Sequence, residues 1–80
     1  MYTVYILYSK TSCKYYTGQT SDLEDRMTRH NSGQTLSIKA GIPWEIVWKQ
    51  TFSTRSEAMK KEKMIKSRGA GRFLKDLDLA

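Results

Sequence analysis

Tyr2-Thr3-Val4-Tyr5-Ile6-Leu7-Tyr8-Ser9 is the stretch whose reading decides the fold. Tyr2, Val4, Ile6 and Tyr8 fall on one face of an extended chain and Thr3, Tyr5 and Leu7 on the other, so the segment reads as a strand. Lys10 to Lys14 is a polar connection, and Tyr15 to Thr20 is a second short strand. So brief a connection makes an antiparallel hairpin the simplest arrangement. Gly18 stands near the end of the second strand, where a missing Cβ allows close backbone approach.

Outward from the hairpin, Ser21-Asp22-Leu23-Glu24 has the form of a capping box, with Ser21 on an orphan backbone donor and Glu24 reaching back. The helix it opens is predicted to run through Arg26 and His30 and to stop near Asn31-Ser32-Gly33. Gln34 to Ile42 reads as a loop, and Pro43 precedes a third strand, Trp44 to Phe52, with Trp44, Ile46 and Trp48 on one face and Val47 on the other. Thr54-Arg55-Ser56-Glu57 is a second capping box, opening a helix that carries Ala58, Met59 and Ile65 and ends near Gly69. A last short helix after Gly71 holds Phe73, Leu74 and Leu77. The predicted order is β-β-α-β-α-α, an α+β fold with a small three-stranded antiparallel sheet flanked by helices.

Eighty residues, 39% of them hydrophobic, suit a single domain spanning 1–80 with one modest core. One cysteine, Cys13, and one histidine cannot supply a disulfide or the usual structural zinc set, which points to a reducing, cytoplasmic setting. No apolar run approaches the roughly 20 residues of a membrane span, so a membrane partner is not expected. The net charge of +6 favours a polyanion, with nucleic acid the leading candidate.

Two places resist a purely structural reading. At roughly 100° per residue, Glu62 falls between Ala58 and Ile65 in the middle of the apolar stripe of its helix. An isolated buried charge is costly, so Glu62 calls for a cation partner among Lys61, Lys63 and Lys66 or else lines a cleft. In the first helix, Leu23 and Met27 define the stripe, His30 falls within it, and Arg26 lies one turn before His30. A lone histidine on an apolar face is more often a hydrogen-bonded core residue than a functional one, and Arg26 could simply pair with Asp22 or Glu24.

The motifs around these positions resemble the GIY-YIG nuclease superfamily, most closely its stand-alone bacterial members. Val4-Tyr5-Ile6 stands where that family has its first triplet and Tyr16-Thr17-Gly18 where it has the second, with ten residues between the two tyrosines. The stretch Gln19 to Met27 looks like the segment bearing the family's catalytic arginine, His30-Asn31-Ser32-Gly33 like its histidine turn, and Pro43-Trp44-Glu45 like the start of its third strand. Ser56 to Lys63 looks like its metal-ligand helix. Val4 replaces the name-giving glycine, and Ile38 stands where many relatives have threonine. The resemblance implies an endonuclease hydrolysing phosphodiester bonds of DNA with Mg²⁺ or Mn²⁺, in repair or recombination. Tyr5, Tyr16, Arg26, His30 and Glu62 would be its catalytic residues and Glu62 its metal ligand. Without appended DNA-binding domains, specificity falls to the nuclease surface or a targeting protein. The alternative is a nucleic-acid-binding module of the same fold that cleaves weakly or not at all.

Hydrolysis of a phosphodiester needs an activated water, stabilised phosphoryl oxygens and help for the leaving oxygen. A phenol of pKa near 10 is about one part in a thousand ionised at pH 7, so Tyr5 or Tyr16 needs a cation or base beside it to accept a proton. Arg26 offers phosphate a planar two-pronged donor, and a single carboxylate such as Glu62 suits Mg²⁺. Lys10, Lys14, Arg29, Lys39 and Lys63, with Lys49, Arg55 and Lys60, are candidates for flanking phosphates, or simply solvated charge. Trp44 and Trp48 weigh more as core or sheet residues than as platforms for bases.

Overall fold

Strand β1 (Tyr2–Ser9) runs down the middle of the sheet, between β2 (Lys14–Thr20) and β3 (Glu45–Phe52), antiparallel to both. Three helices complete the chain: α1 (Leu23–Asn31), α2 (Arg55–Arg68) and α3 (Ala70–Asp76). This computed structural model describes residues 1–32 and 41–78. Gly33, Ile38, Lys39 and the expected loop as far as residue 40 lie outside them. The order β-β-α-β-α-α and the three-stranded antiparallel sheet are those read from the sequence.

As the central strand, β1 buries side chains on both faces. Val4 and Ile6 pack with Ala58, Ile65, Phe73 and Leu74, which places α2 and α3 over one face. Tyr5 and Leu7 pack with Trp44, Leu23 and Met27 on the other, under α1. Of the apolar stripe expected on α2, Ala58 and Ile65 are buried, but Met59 is 41% exposed and stands outside the core.

Gly71 lies inside α3, which begins at Ala70, rather than ahead of it, and two further local readings of the sequence are corrected. The first helix is capped one residue later than the Ser21 box implies: Asp22 accepts from the Asp25 amide at 3.0 Å, while the Thr20 hydroxyl takes the Asp22 N–H at 3.1 Å. Both positions carry a capping residue, and Thr20 selects between them by fixing the backbone just ahead of the helix. In β3, the register slips between Ile6↔Trp48 and Leu7↔Ile46, so Val47 is an extra residue. A bulge reverses the facing of everything beyond it. Trp48 therefore packs with the α2–α3 core, edge-on to Phe73 at 5.0 Å between ring centroids, while Trp44 joins the core under α1. Neither indole stands free as a platform for bases. At the second box Thr54 caps the helix as read, its hydroxyl accepting from the Glu57 amide, but the Glu57 carboxylate takes its bond from that hydroxyl rather than from the Thr54 N–H.

Candidate active site

The hairpin register is what builds the site. Tyr5 is paired with Gly18 and Leu7 with Tyr16, so Tyr5 and Tyr16 are diagonal neighbours on the face under α1. The glycine opposite Tyr5 leaves room for the phenol to lie across β2. A Cβ at position 18 would meet Tyr5 Oη at 2.7 Å and the Tyr16 ring at 3.2 Å, inside contact distance. The two phenol rings lie 6.4 Å apart between centroids.

Helix α1 delivers the next members. His30, in its last turn, is fully buried, with its ring 5.1 Å from that of Tyr16 and 6.0 Å from that of Tyr5. Tyr5 Oη and His30 Nε2 share a buried hydrogen bond of 3.1 Å whose direction follows the His30 tautomer. Among the described residues, His30 Nδ1 has no partner. Arg26, one turn earlier and half-buried, makes no ion pair among the described residues, so the pairing with Asp22 or Glu24 does not form. Its charge acts instead on Tyr5 and His30.

Burial pushes the Tyr5 phenol above its ordinary value, and the neighbouring Tyr16 adds to this; the Arg26 guanidinium pulls it back, and the Glu62 carboxylate raises it again. His30 is held below the usual imidazole range by burial, then by the nearby positive charge of Arg26. A buried neutral phenol and a buried neutral imidazole are thus matched partners. Neither needs a counter-ion.

Glu62 approaches from α2, close enough for its charge to act on Tyr5. Its side chain is only 18% exposed and pairs with Lys66 at 2.8 Å, the expected neighbour one turn on. The ion pair and the proximity to Tyr5 coexist. Of the five candidate catalytic residues, Tyr5, Tyr16 and His30 lie together through their rings and the Tyr5–His30 hydrogen bond, and the charges of Arg26 and Glu62 act on Tyr5. Among the described residues no group of three or more His, Cys, Asp or Glu could form an all-protein metal cage. A single, largely buried carboxylate fits Mg²⁺ or Mn²⁺, which keep waters and take substrate oxygens; zinc would need more ligands.

The basic candidates are more dispersed. Lys10 pairs with Glu45 at 3.9 Å and Arg29 with Asp25 at 3.1 Å, while Lys14 and Lys63 are exposed without an ion pair among the described residues. Lys39 lies outside them. One contributor that sequence reasoning passed over is Asn31. Its side chain grips the backbone of Trp44, which anchors the end of α1 beside His30. An asparagine at a helix end reads first as a C-cap, which hid this second use.

Residues 1–71 match the sequence model of the GIY-YIG catalytic domain, so the chain belongs to the GIY-YIG family of nuclease-type domains. Within that family it resembles the UPF0213 proteins. It is 38% identical over 65 residues to a UPF0213 protein of Staphylococcus saprophyticus, covering 80% of this chain and 78% of that one. It is 34% identical over 67 residues to one of Halobacterium salinarum, covering 82% and 86%. The solution NMR structure of a UPF0213 protein from Bacillus halodurans is similar with a TM-score of 0.60 and 31% identity, over 99% of this chain and 85% of that one. No helix among the described residues is long and apolar enough to cross a membrane.

Proposed function

We propose that this chain is a cytoplasmic endonuclease that hydrolyses phosphodiester bonds in DNA with the help of Mg²⁺ or Mn²⁺. The observation that carries the reading is the buried Tyr5–His30 hydrogen bond with the Tyr16 ring beside both, and with the charges of Arg26 and Glu62 acting on Tyr5. This grouping is unrelated to packing needs alone, since it gathers one cation and one anion around neutral polar rings.

The two tyrosines divide the work. Tyr5 is 1% exposed and driven toward its neutral form, so it serves to hold His30 and shape the site rather than to take up a proton. Tyr16 is half-buried and reachable, and its phenolate, the phenol having first given its own proton to solvent, is the acceptor we assign for the attacking water's proton. As water adds to phosphorus, the bond to the leaving oxygen breaks and negative charge grows on the phosphoryl oxygens. Arg26 meets that charge with a planar pair of N–H donors. Glu62 would hold the divalent ion, whose bound form supplies Lewis-acid stabilisation of phosphate charge.

The Lys66–Glu62 ion pair favours a second reading, in which Glu62 is structural and the domain binds nucleic acid without cutting it. Incubating supercoiled plasmid, and a panel of branched, duplex and single-stranded DNA and RNA, with Mg²⁺ or with chelator separates the two. Metal-dependent nicking is expected. A folded protein that binds these substrates and cleaves none would establish the binding module instead.

A further inference from the structure

We infer that the cavity shared by Arg26 and Arg55 is a subsite for one backbone phosphate of nucleic acid, held chiefly by Arg55, with Arg26 standing between it and the phosphate that is cleaved. This rests on the proposed nuclease reading, and it adds to that reading a residue from a different helix. Arg26 belongs to α1 and Arg55 to the first turn of α2, yet both line one small polar cavity of about 180 Å³ with Tyr2, Gln19, Thr20 and Ser21.

Three features point to a phosphate. No carboxylate lines the cavity, and neither arginine has an ion-pair partner among the described residues. Arg29 and Arg68, by contrast, are each neutralised by an aspartate at 3.1 and 2.9 Å. Two guanidinium groups held toward one space repel each other when it holds only water, and an anion between them reverses the sign of the interaction. The rest of the wall supplies neutral donors. The side chains of Gln19 and Ser21 make no hydrogen bond among the described residues, whereas the Thr20 hydroxyl is engaged with Asp22 at both its donor and acceptor. Planar forks converging with amide and hydroxyl donors suit the several oxygens of a phosphodiester.

Arg26 ties this cavity to the candidate active site, because its charge also reaches Tyr5 and His30. A strand whose reacting phosphate lies beside Tyr16 would leave a neighbouring phosphate for the Arg55 side. Arg55 is exposed, so it is accessible to such a strand and its replacement should not disturb the core.

The test is equilibrium binding of a fluorescent DNA duplex in chelator, over a range of salt, by the wild type, Arg55→Gln, Arg55→Lys and Arg72→Gln. Arg72 is exposed on α3, lines a separate depression with Arg68, Lys75 and Asp76, and reports the general loss of one charge. For a true phosphate contact, Arg55→Gln should lower the slope of log affinity against log salt by about 0.9. Arg72→Gln should lower it by clearly less. Arg55→Lys should keep most of the slope but lose affinity, because the fork is gone. A methylphosphonate placed at each linkage in turn should cancel the effect of Arg55→Gln at one linkage only. In cleavage assays, Arg55→Gln should raise KM and leave kcat nearly intact. If Arg55→Gln and Arg72→Gln behave alike while the wild type cleaves, the subsite is overturned and the nuclease stands. If the wild type cleaves nothing but Arg55→Gln alone loses its phosphate contact, the nuclease reading falls and the subsite stands.

Discussion

Asn31 holds the backbone of Trp44 at two points: its Oδ1 accepts from the Trp44 N–H at 2.7 Å, and its Nδ2 donates to the Trp44 carbonyl at 3.3 Å. The side-chain amide thus mimics one rung of a sheet between the end of α1 and the residue just before β3. His30 precedes Asn31, and Trp44 packs with Tyr5 and Leu7, so the clasp couples two walls of the candidate site. Replacing Asn31 with alanine removes both bonds at once and should cost roughly 1–3 kcal/mol. Asn31→Asp keeps the acceptor and should fall between alanine and wild type. Urea unfolding of the three proteins checks the order; equal stability of all three would show that the clasp contributes nothing.

The hairpin yields a sharper geometric expectation at Gly18. Its backbone is ordinary strand, so alanine there is unfavourable through crowding alone: the new methyl would sit 2.7 Å from Tyr5 Oη. Either the Tyr5 ring must leave its place over β2 or the strands must part. Gly18→Ala should destabilise by about 1–3 kcal/mol, in the range of overpacked cores. It should also break the 3.1 Å hydrogen bond to His30. In a Tyr5→Phe background the hydroxyl is gone, and the cost of Gly18→Ala should shrink. Additive costs in the double variant would refute the steric link.

The hairpin and the order of elements were legible because β1 carries an alternating pattern and Gly18 marks a close approach. The bulge at Val47 was not. Trp44, Ile46 and Trp48 alternate without interruption in the sequence, and the slip follows from tertiary demands. Asn31 anchors the backbone at Trp44 while Trp48 must meet Phe73 on the opposite face. The helix start at Asp22 was ambiguous for a local reason, since Ser21 and Asp22 are both good caps and Thr20 decides between them. In the site, Glu62 and His30 stood out as polar residues inside apolar stripes. That Arg26 makes no pair with the carboxylates near it in sequence is visible only in three dimensions.

Stability should depend on pH at both ends through the Tyr5–His30 pair. His30 has its folded pKa lowered, so the unfolded chain takes up this proton first as pH falls through about 6.5. The stability attached to neutral His30 is present above that pH and is lost on acidification. Tyr5 has its folded pKa raised, so its contribution is present below about 10 and is lost as the unfolded chain ionises above it. Melting temperature should therefore decline from pH 7 to 5 in the wild type and less so in His30→Gln. The alkaline decline should weaken in Tyr5→Phe. The Arg68–Asp76 pair acts outside this window, because Asp76 is held below the ordinary carboxylate range by its bond to Arg68. Parallel acid profiles for wild type and His30→Gln would remove His30 from the account.

Glu62 offers the decisive comparison, because the structure gives it two neighbours with opposite implications. Lys66 pairs with it at 2.8 Å, and its charge also acts on Tyr5. If Glu62 serves only Lys66, Glu62→Gln removes an i,i+4 ion pair whose lysine is 57% exposed, and stability should change by about 0–1 kcal/mol with cleavage untouched. If it holds Mg²⁺, the same variant keeps its shape and helix propensity but should lose cleavage by on the order of a hundredfold or more. DNA affinity in chelator should then hold or rise, since a negative charge has left the neighbourhood of the phosphate. Lys66→Gln supplies the counter-test: it breaks the ion pair and leaves the carboxylate, so a metal ligand predicts retained or higher metal affinity and retained nicking. Melting temperature, Mg²⁺ titration and plasmid nicking on the same preparations distinguish the two. Full cleavage by a stable Glu62→Gln variant would sink the metal-ligand assignment.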